Sequence, residues 1–199
     1  VCPFFVRVQN VVCFELALFG SLRRGEIMGI LEDEIPDDGR FYIQRTRYMH
    51  RIGNEFVKDT KTSSGERLCI LPAPVIRDVK ALRKHHIEQK LKLGPLWTDS
   101  DYLIKEQNGE AFHPGECARR LRRYMERIGL EPITFHALRH TYASICISIG
   151  ADPATVSKRM GHANVSTTLG IYTHLFEKKE EEDKLASALG DMLTKSVEK

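Results

Sequence analysis

The sequence predicts a mainly α-helical domain carrying a small three-stranded antiparallel sheet. Three observations predict it. Apolar residues recur at helical spacing through most of the chain, as in Val75, Val79 and Leu82. Runs with strand composition are confined to residues 41–71 and are parted by turn residues. No internal repeat or low-complexity linker divides the 199 residues, and their 42% hydrophobic and 29% charged content suits one globular core.

Residues 10–31 read as helical, with Val12, Leu16 and Phe19 on one stripe and an interruption at Gly20-Ser21. A second helix restarts at Arg24 and runs through Met28 and Leu31. That places Arg23 at a turn beside a helix N-terminus, where backbone N–H groups favour an anion. Pro36-Asp37-Asp38-Gly39 is a turn. Strands are expected over 41–47, 55–58 and 66–71, with Gly53-Asn54 and the polar stretch 60–65 as turns, so Lys61 sits between strands two and three. A helix over 73–91 faces Val75, Val79, Leu82 and Ile87 inward and ends at Gly94-Pro95. An extended piece over 96–104 holds Trp97. His113-Pro114-Gly115 opens a basic helix running to Ile128. Thr134 is a good N-cap for the next helix, and Gly150 a good stop. Further helices are expected over 153–160 and 166–172. From Glu177 the tail reads as a helix with Leu185, Leu189 and Met192 in one stripe.

Net charge is only +3, from 30 Lys and Arg against 27 Asp and Glu, so the total does not point to nucleic acid. The distribution does: basic residues gather over 40–51, 77–92 and 118–127, and acids over 32–38 and 177–183. The five cysteines are scattered and lack Cys-x-x-Cys spacing, which argues against disulfide or zinc frameworks and for a reducing compartment. No apolar run is long enough to span a membrane. The opening Val1-Cys2-Pro3 reads as part of a longer protein rather than as a signal peptide.

One constellation carries chemistry: His136-Ala137-Leu138-Arg139-His140, then Gly161-His162, then Tyr172-Thr173-His174, with Arg23 and Lys61 upstream. Phosphoryl transfer through a side chain needs a nucleophile, a clamp for the non-bridging oxygens and an acid for the leaving oxygen. Arg23 and Arg139 suit the clamp, because a guanidinium fork meets two oxygens and keeps its charge. His136 and Arg139, three apart on a helix, share a face. His162 follows a Gly at a helix end, and His136 or His162 can donate to phosphate or take a proton. Tyr172 offers a phenol, and Lys61 an acid for a departing oxygen.

Duller readings apply to several neighbours. Arg24 is a surface charge, Lys58 a solvated strand residue, His85-His86 a solvent-facing pair and Tyr142 a core residue; Tyr48 stays open as a rival phenol. His136 and His140 have zinc-pair spacing, but Ala137 stands where the metalloprotease helix carries Glu. His140 reads as a supporting residue.

The ordered set resembles the tyrosine recombinase (phage integrase) family, of the mobile-element integrase type. That family runs Arg in a Gly-x-Arg-x-x-Glu box, Lys on a β-hairpin, His-x-x-Arg, Gly-His, then Tyr. Arg23, Lys61, His136, Arg139, His162 and Tyr172 fall on those positions in order, and Glu26 matches the supporting acid of the first box. The likeness spans residues 10–175; Ser21 stands where many members carry Gly. The resemblance implies the family's DNA breaking-rejoining fold and site-specific strand exchange, in which Tyr172 forms a 3′-phosphotyrosine link. It implies no metal or cofactor, and double-stranded recombination sites bound by a homotetramer in a bacterial or phage-encoded cytoplasmic enzyme. It also implies a catalytic domain over 1–176, a tail over 177–199 whose apolar stripe either docks in trans or folds back on its own domain, and DNA-binding domains lying N-terminal to this chain. A non-catalytic DNA-binding accessory domain and a type IB topoisomerase-like relaxing enzyme remain as other classes.

Overall fold

The computed structural model describes residues 3–49, 55–59, 67–162, 164–166 and 170. Helix α1 (Pro3–Leu18) buries Val12, Cys13, Leu16 and Ala17 against α3 (Ala73–Leu93) and α5 (Phe135–Ser148). Its end is set by Gly20. A Cβ there would lie 2.3 Å from Leu22 Cδ1 and 2.7 Å from the Leu16 carbonyl. Ser21 then reverses the chain at φ 53°, in left-handed space that favours glycine. The reversal delivers Leu22 to the core and starts α2 (Arg24–Gly29), whose first turn is closed by the Arg23 N–H donating to Glu26 Oε2 at 2.7 Å. The expected helix therefore stops at Gly29, and Leu31 forms a β-bridge with Tyr102 instead.

The expected three-stranded sheet is, among the described residues, two ladders of two strands. The expected strand over 41–47 divides into β1 (Arg40–Tyr42) and β2 (Arg45–Met49). β1 pairs antiparallel with β4 (Leu68–Ile70), Phe41 opposite Cys69. β2 pairs antiparallel with β3 (Glu55–Asp59), Thr46 opposite Lys58 and Tyr48 opposite Phe56. Buried Phe41, Ile43 and Arg47 keep the period of two through the break, which is why the sequence reads as one strand. The partner changes at Ile43, whose N–H donates to the Arg67 carbonyl at 3.1 Å.

On α3 the inward stripe is Val75, Val79, Leu82 and His86, at steps of four, three and four. That phase corrects two expectations. Ile87 is 62% exposed, and His85 and His86 are buried. His86 Nδ1 lies 2.7 Å from Glu32 Oε1, and Glu32 also pairs with buried Lys105, so a polar pair is covered by the 31–37 and 97–105 segments.

Helix α4 (Pro114–Arg127) buries Pro114, Cys117 and Leu121 and leaves Arg119, Arg122, Arg123 and Arg127 exposed. Helix α6 (Pro153–Met160) is capped by Asp152, whose carboxylate accepts from the Thr155 N–H at 2.8 Å. Between α5 and α6 a small apolar cluster of Ala143, Ile147, Val156 and Met160 sits apart from the main core. The predicted helix over 166–172 is described only at Ser166 and Gly170, both helical. The predicted tail helix with Leu185, Leu189 and Met192 lies outside the described residues. Among the described residues no helix is long and apolar enough to cross a membrane.

Candidate active site

The site is built where two chain reversals, at Ser21 and at Gly161, meet α5. Thr134 caps that helix through Oγ1, which accepts from the Ala137 N–H at 3.0 Å. The cap fixes the first turn, placing His136 outward and Arg139, one turn on, inward with 3% exposure. The Arg139 guanidinium donates to the Ser21 carbonyl and, at 2.6 Å, to the Met160 carbonyl. It therefore ties the α1–α2 reversal to the end of α6. Arg23 makes a parallel tie: its guanidinium donates to Glu26 Oε1 and to the Gly161 carbonyl, both at 2.8 Å, while the side chain stays 45% exposed. Gly161 ends α6 at φ 64° and turns His162 back toward these arginines. A left-handed turn is required here, and a Cβ at Gly161 would meet the Arg67 side chain at 3.0 Å.

Burial and nearby charge set the protonation of His140 and His162. Burial first, then His136 and Arg139, hold the His140 imidazole below its ordinary value. Burial, then Arg139, Arg23, His140 and Arg67, do the same to His162. Both rings are thus biased to the neutral form near pH 7 and can accept a proton or donate one N–H. His136 Nε2 lies 2.8 Å from His140 Nε2, so one ring donates and the other accepts. Burial pushes the Glu26 carboxyl upward, but the charged hydrogen bonds from Arg67 and Arg23 outweigh it and leave the carboxyl below its usual range.

Three of these residues, Arg23, His136 and Arg139, line a cleft of about 990 Å³ whose wall also includes Arg24, Thr46 and Arg122, with Glu131 the one acid among its lining residues. A chain of near-neutral total charge thus concentrates cations on one concave surface, suited to an anion. The exposed face of the β2–β3 hairpin forms one side: Tyr48 lines the cleft and stacks on Phe56 with centroids 5.9 Å apart, and exposed Lys58 lies opposite Thr46. Arg24 is exposed, as expected, yet lines the cleft. Tyr142 is half-buried beside the α5–α6 cluster, and burial raises its phenol pKa despite Arg159 nearby, so it is a poor nucleophile.

The structure brings Arg23, Glu26, His136, Arg139, His140 and His162 together. Lys61 and Tyr172 lie outside the described residues. One residue that sequence reasoning missed is Arg67. It is buried beneath the site, and its guanidinium grips both oxygens of Glu26 at 2.9 and 2.7 Å. A lone Arg before a short strand gives no local signal of this.

Comparison with known proteins agrees with the geometry. The model described as the phage integrase family matches residues 6–179. A tyrosine recombinase XerC-like protein of Caldanaerobacter subterraneus subsp. tengcongensis is 28% identical over 179 residues, covering 84% of this chain and 46% of the relative. Transposase A from transposon Tn554 of Staphylococcus aureus is 37% identical over 177 residues, covering 80% and 42%. The chain therefore spans about half the length of the curated relatives it matches. A solved structure of the Tn1549 transposon integrase in complex with transposon right end DNA shares the fold, with a TM-score of 0.67 and 21% identity over 89% of this chain and 58% of that one.

Proposed function

Because the chain belongs to the phage integrase family, we propose that it is the catalytic domain of a site-specific DNA recombinase that integrates or excises a mobile element. One observation carries this reading. Arg23, from the first reversal, Arg122, from α4, and Arg139, from α5, come from segments far apart in sequence and line one basic cleft, while Arg23 and Arg139 also reach the carbonyls of Gly161 and Met160 at the turn that carries His162. Convergence of that kind suits a phosphodiester whose non-bridging oxygens gain charge in the transition state.

The half-exposed Arg23 fork and the outward His136 would contact those oxygens, with Arg139 beneath them and His162 alongside. The Tyr172 oxygen attacks phosphorus, and the bond from phosphorus to the 5′ oxygen breaks. The phenol proton passes to a neutral imidazole, and Lys61 gives a proton to the departing oxygen. A 5′-hydroxyl of the partner duplex then attacks the 3′-phosphotyrosine and frees Tyr172. The phosphodiester energy is held in the protein–DNA link throughout, so the exchange calls for no nucleotide. A homotetramer on paired sites, with residues 177–199 of one subunit docked on its neighbour, would synchronise the four cleavages.

The test uses plasmids carrying the two end sequences of the DNA element that encodes the chain, supplied with the full-length protein. Recombinant junctions between the two sites are expected. Relaxation of supercoils with no junction product would replace this reading with a topoisomerase-like one. DNA binding with neither product would assign an accessory role.

A further inference from the structure

We propose that Arg67 is a positioning residue for DNA cleavage, setting Arg23 through Glu26 and His162 through the turn that follows α6. The proposal rests on the recombinase reading above and deepens it. Arg67 stands just before β4, yet its contacts go elsewhere. Nη1 donates to Glu26 Oε1 at 2.9 Å, and Nη2 donates to Glu26 Oε2 at 2.7 Å and to the Ser21 carbonyl at 3.2 Å. Nε donates to the Arg159 carbonyl at 2.9 Å. The side chain is 5% exposed and Glu26 2% exposed, so this is a buried, two-pronged ion pair.

Each acceptor leads to a different part of the site. Glu26 holds the Arg23 backbone N–H and its Nη1. The Ser21 carbonyl also takes Arg139. Arg159 lies two residues before Gly161, whose left-handed turn aims His162, and the Arg67 side chain occupies the space where a Cβ at Gly161 would fall. One planar group therefore sets the spacing of three segments that are far apart in sequence. Only a guanidinium offers that many donors in one fixed plane. A residue serving the fold alone would need the Glu26 pair but not the links to the reversal at Ser21 and to the α6 end.

The test uses the full-length protein with Arg67→Lys and Arg67→Met, on nicked duplexes from the same element ends. Circular dichroism reports folding, a binding titration reports DNA affinity, and single-turnover covalent attachment reports cleavage. A separate NMR titration follows the His162 ring, whose pKa is held below its ordinary value by burial and by the charges of Arg139, Arg23, His140 and Arg67. Both variants are expected to fold and to bind DNA within about threefold of wild type, yet to attach at least tenfold more slowly. In Arg67→Met the His162 midpoint is expected to move up, because a nearby cation is lost and the turn loosens toward solvent. Folded Arg67→Lys attaching within threefold of wild type overturns the proposal. So does attachment that falls only in step with affinity, and so does failure of both variants to fold, which assigns Arg67 to the fold alone. If the wild type itself never attaches, the recombinase reading fails separately. The His162 titration then decides for Arg67, and an unmoved midpoint overturns it.

Discussion

Ser21→Gly should stabilise the protein and leave cleavage nearly unchanged. Ser21 is the one non-glycine residue with positive φ among the described residues, at 53°. Left-handed backbone costs an L-residue ~1–2 kcal/mol, which glycine does not incur. The Ser21 hydroxyl is buried and finds no partner among the described residues, a further ~1–3 kcal/mol of lost hydration. Against these stand ~0.4–1 kcal/mol for the freer unfolded glycine chain and a few tenths for the small void left behind. The balance is about 1–4 kcal/mol in favour of glycine, or roughly 2–16 °C in Tm for a chain of this size. The groups that accept from Arg67 and Arg139 are the backbone carbonyl, which glycine keeps. Thermal unfolding followed by circular dichroism, with covalent attachment to nicked DNA measured in parallel, checks both parts. A lower Tm in Ser21→Gly would refute the strain argument. A raised Tm with attachment slowed more than tenfold would refute the claim that only the carbonyl matters.

Three other substitutions probe the site and its assembly. Arg139→Lys keeps the charge but cannot span the Ser21 and Met160 carbonyls with one planar fork, so the site is misplaced and cleavage should fall ~10²-fold; a loss within about threefold, measured by single-turnover attachment, contradicts this tie. Lys61→Ala should be inactive on ordinary DNA and recover on a substrate with sulfur at the 5′-bridging position, because a thiolate leaves without a proton; no recovery moves the acid role to another residue. Deleting residues 180–199 should preserve the fold but weaken assembly on DNA, and sedimentation showing equal assembly would refute docking in trans.

The elements that local chemistry governs were legible in the sequence. Thr134 caps the helix that follows it, and Gly161 ends α6, because each acts within three or four residues of itself. The pairing of His136 with Arg139 on one turn followed from helical spacing alone, although the structure sends the histidine outward and the arginine inward. Burial of His86 was less legible. The helical stripe leads to it, but composition argued for solvent, and the residues that cover it lie on segments more than ten residues away. The split between β1 and β2 was hidden because the burial alternation of Phe41, Ile43 and Arg47 continues while the pairing partner changes. Arg67 was hidden most completely. Its acceptors lie 41, 46 and 92 residues away, and no local pattern marks an arginine that acts at such range.

If this cleft directs a tyrosine at DNA phosphorus, the covalent adduct with DNA identifies which tyrosine it is. Full-length protein is incubated with a nicked duplex whose cleaved end diffuses away, the adduct is digested, and the modified peptide is sequenced by mass spectrometry. A 3′-phosphodeoxynucleotide is expected on Tyr172, with no adduct from Tyr172→Phe, which should bind the same duplex with unchanged affinity. An adduct on Tyr48 or any other residue, or one that persists in Tyr172→Phe, would contradict the assignment of Tyr172.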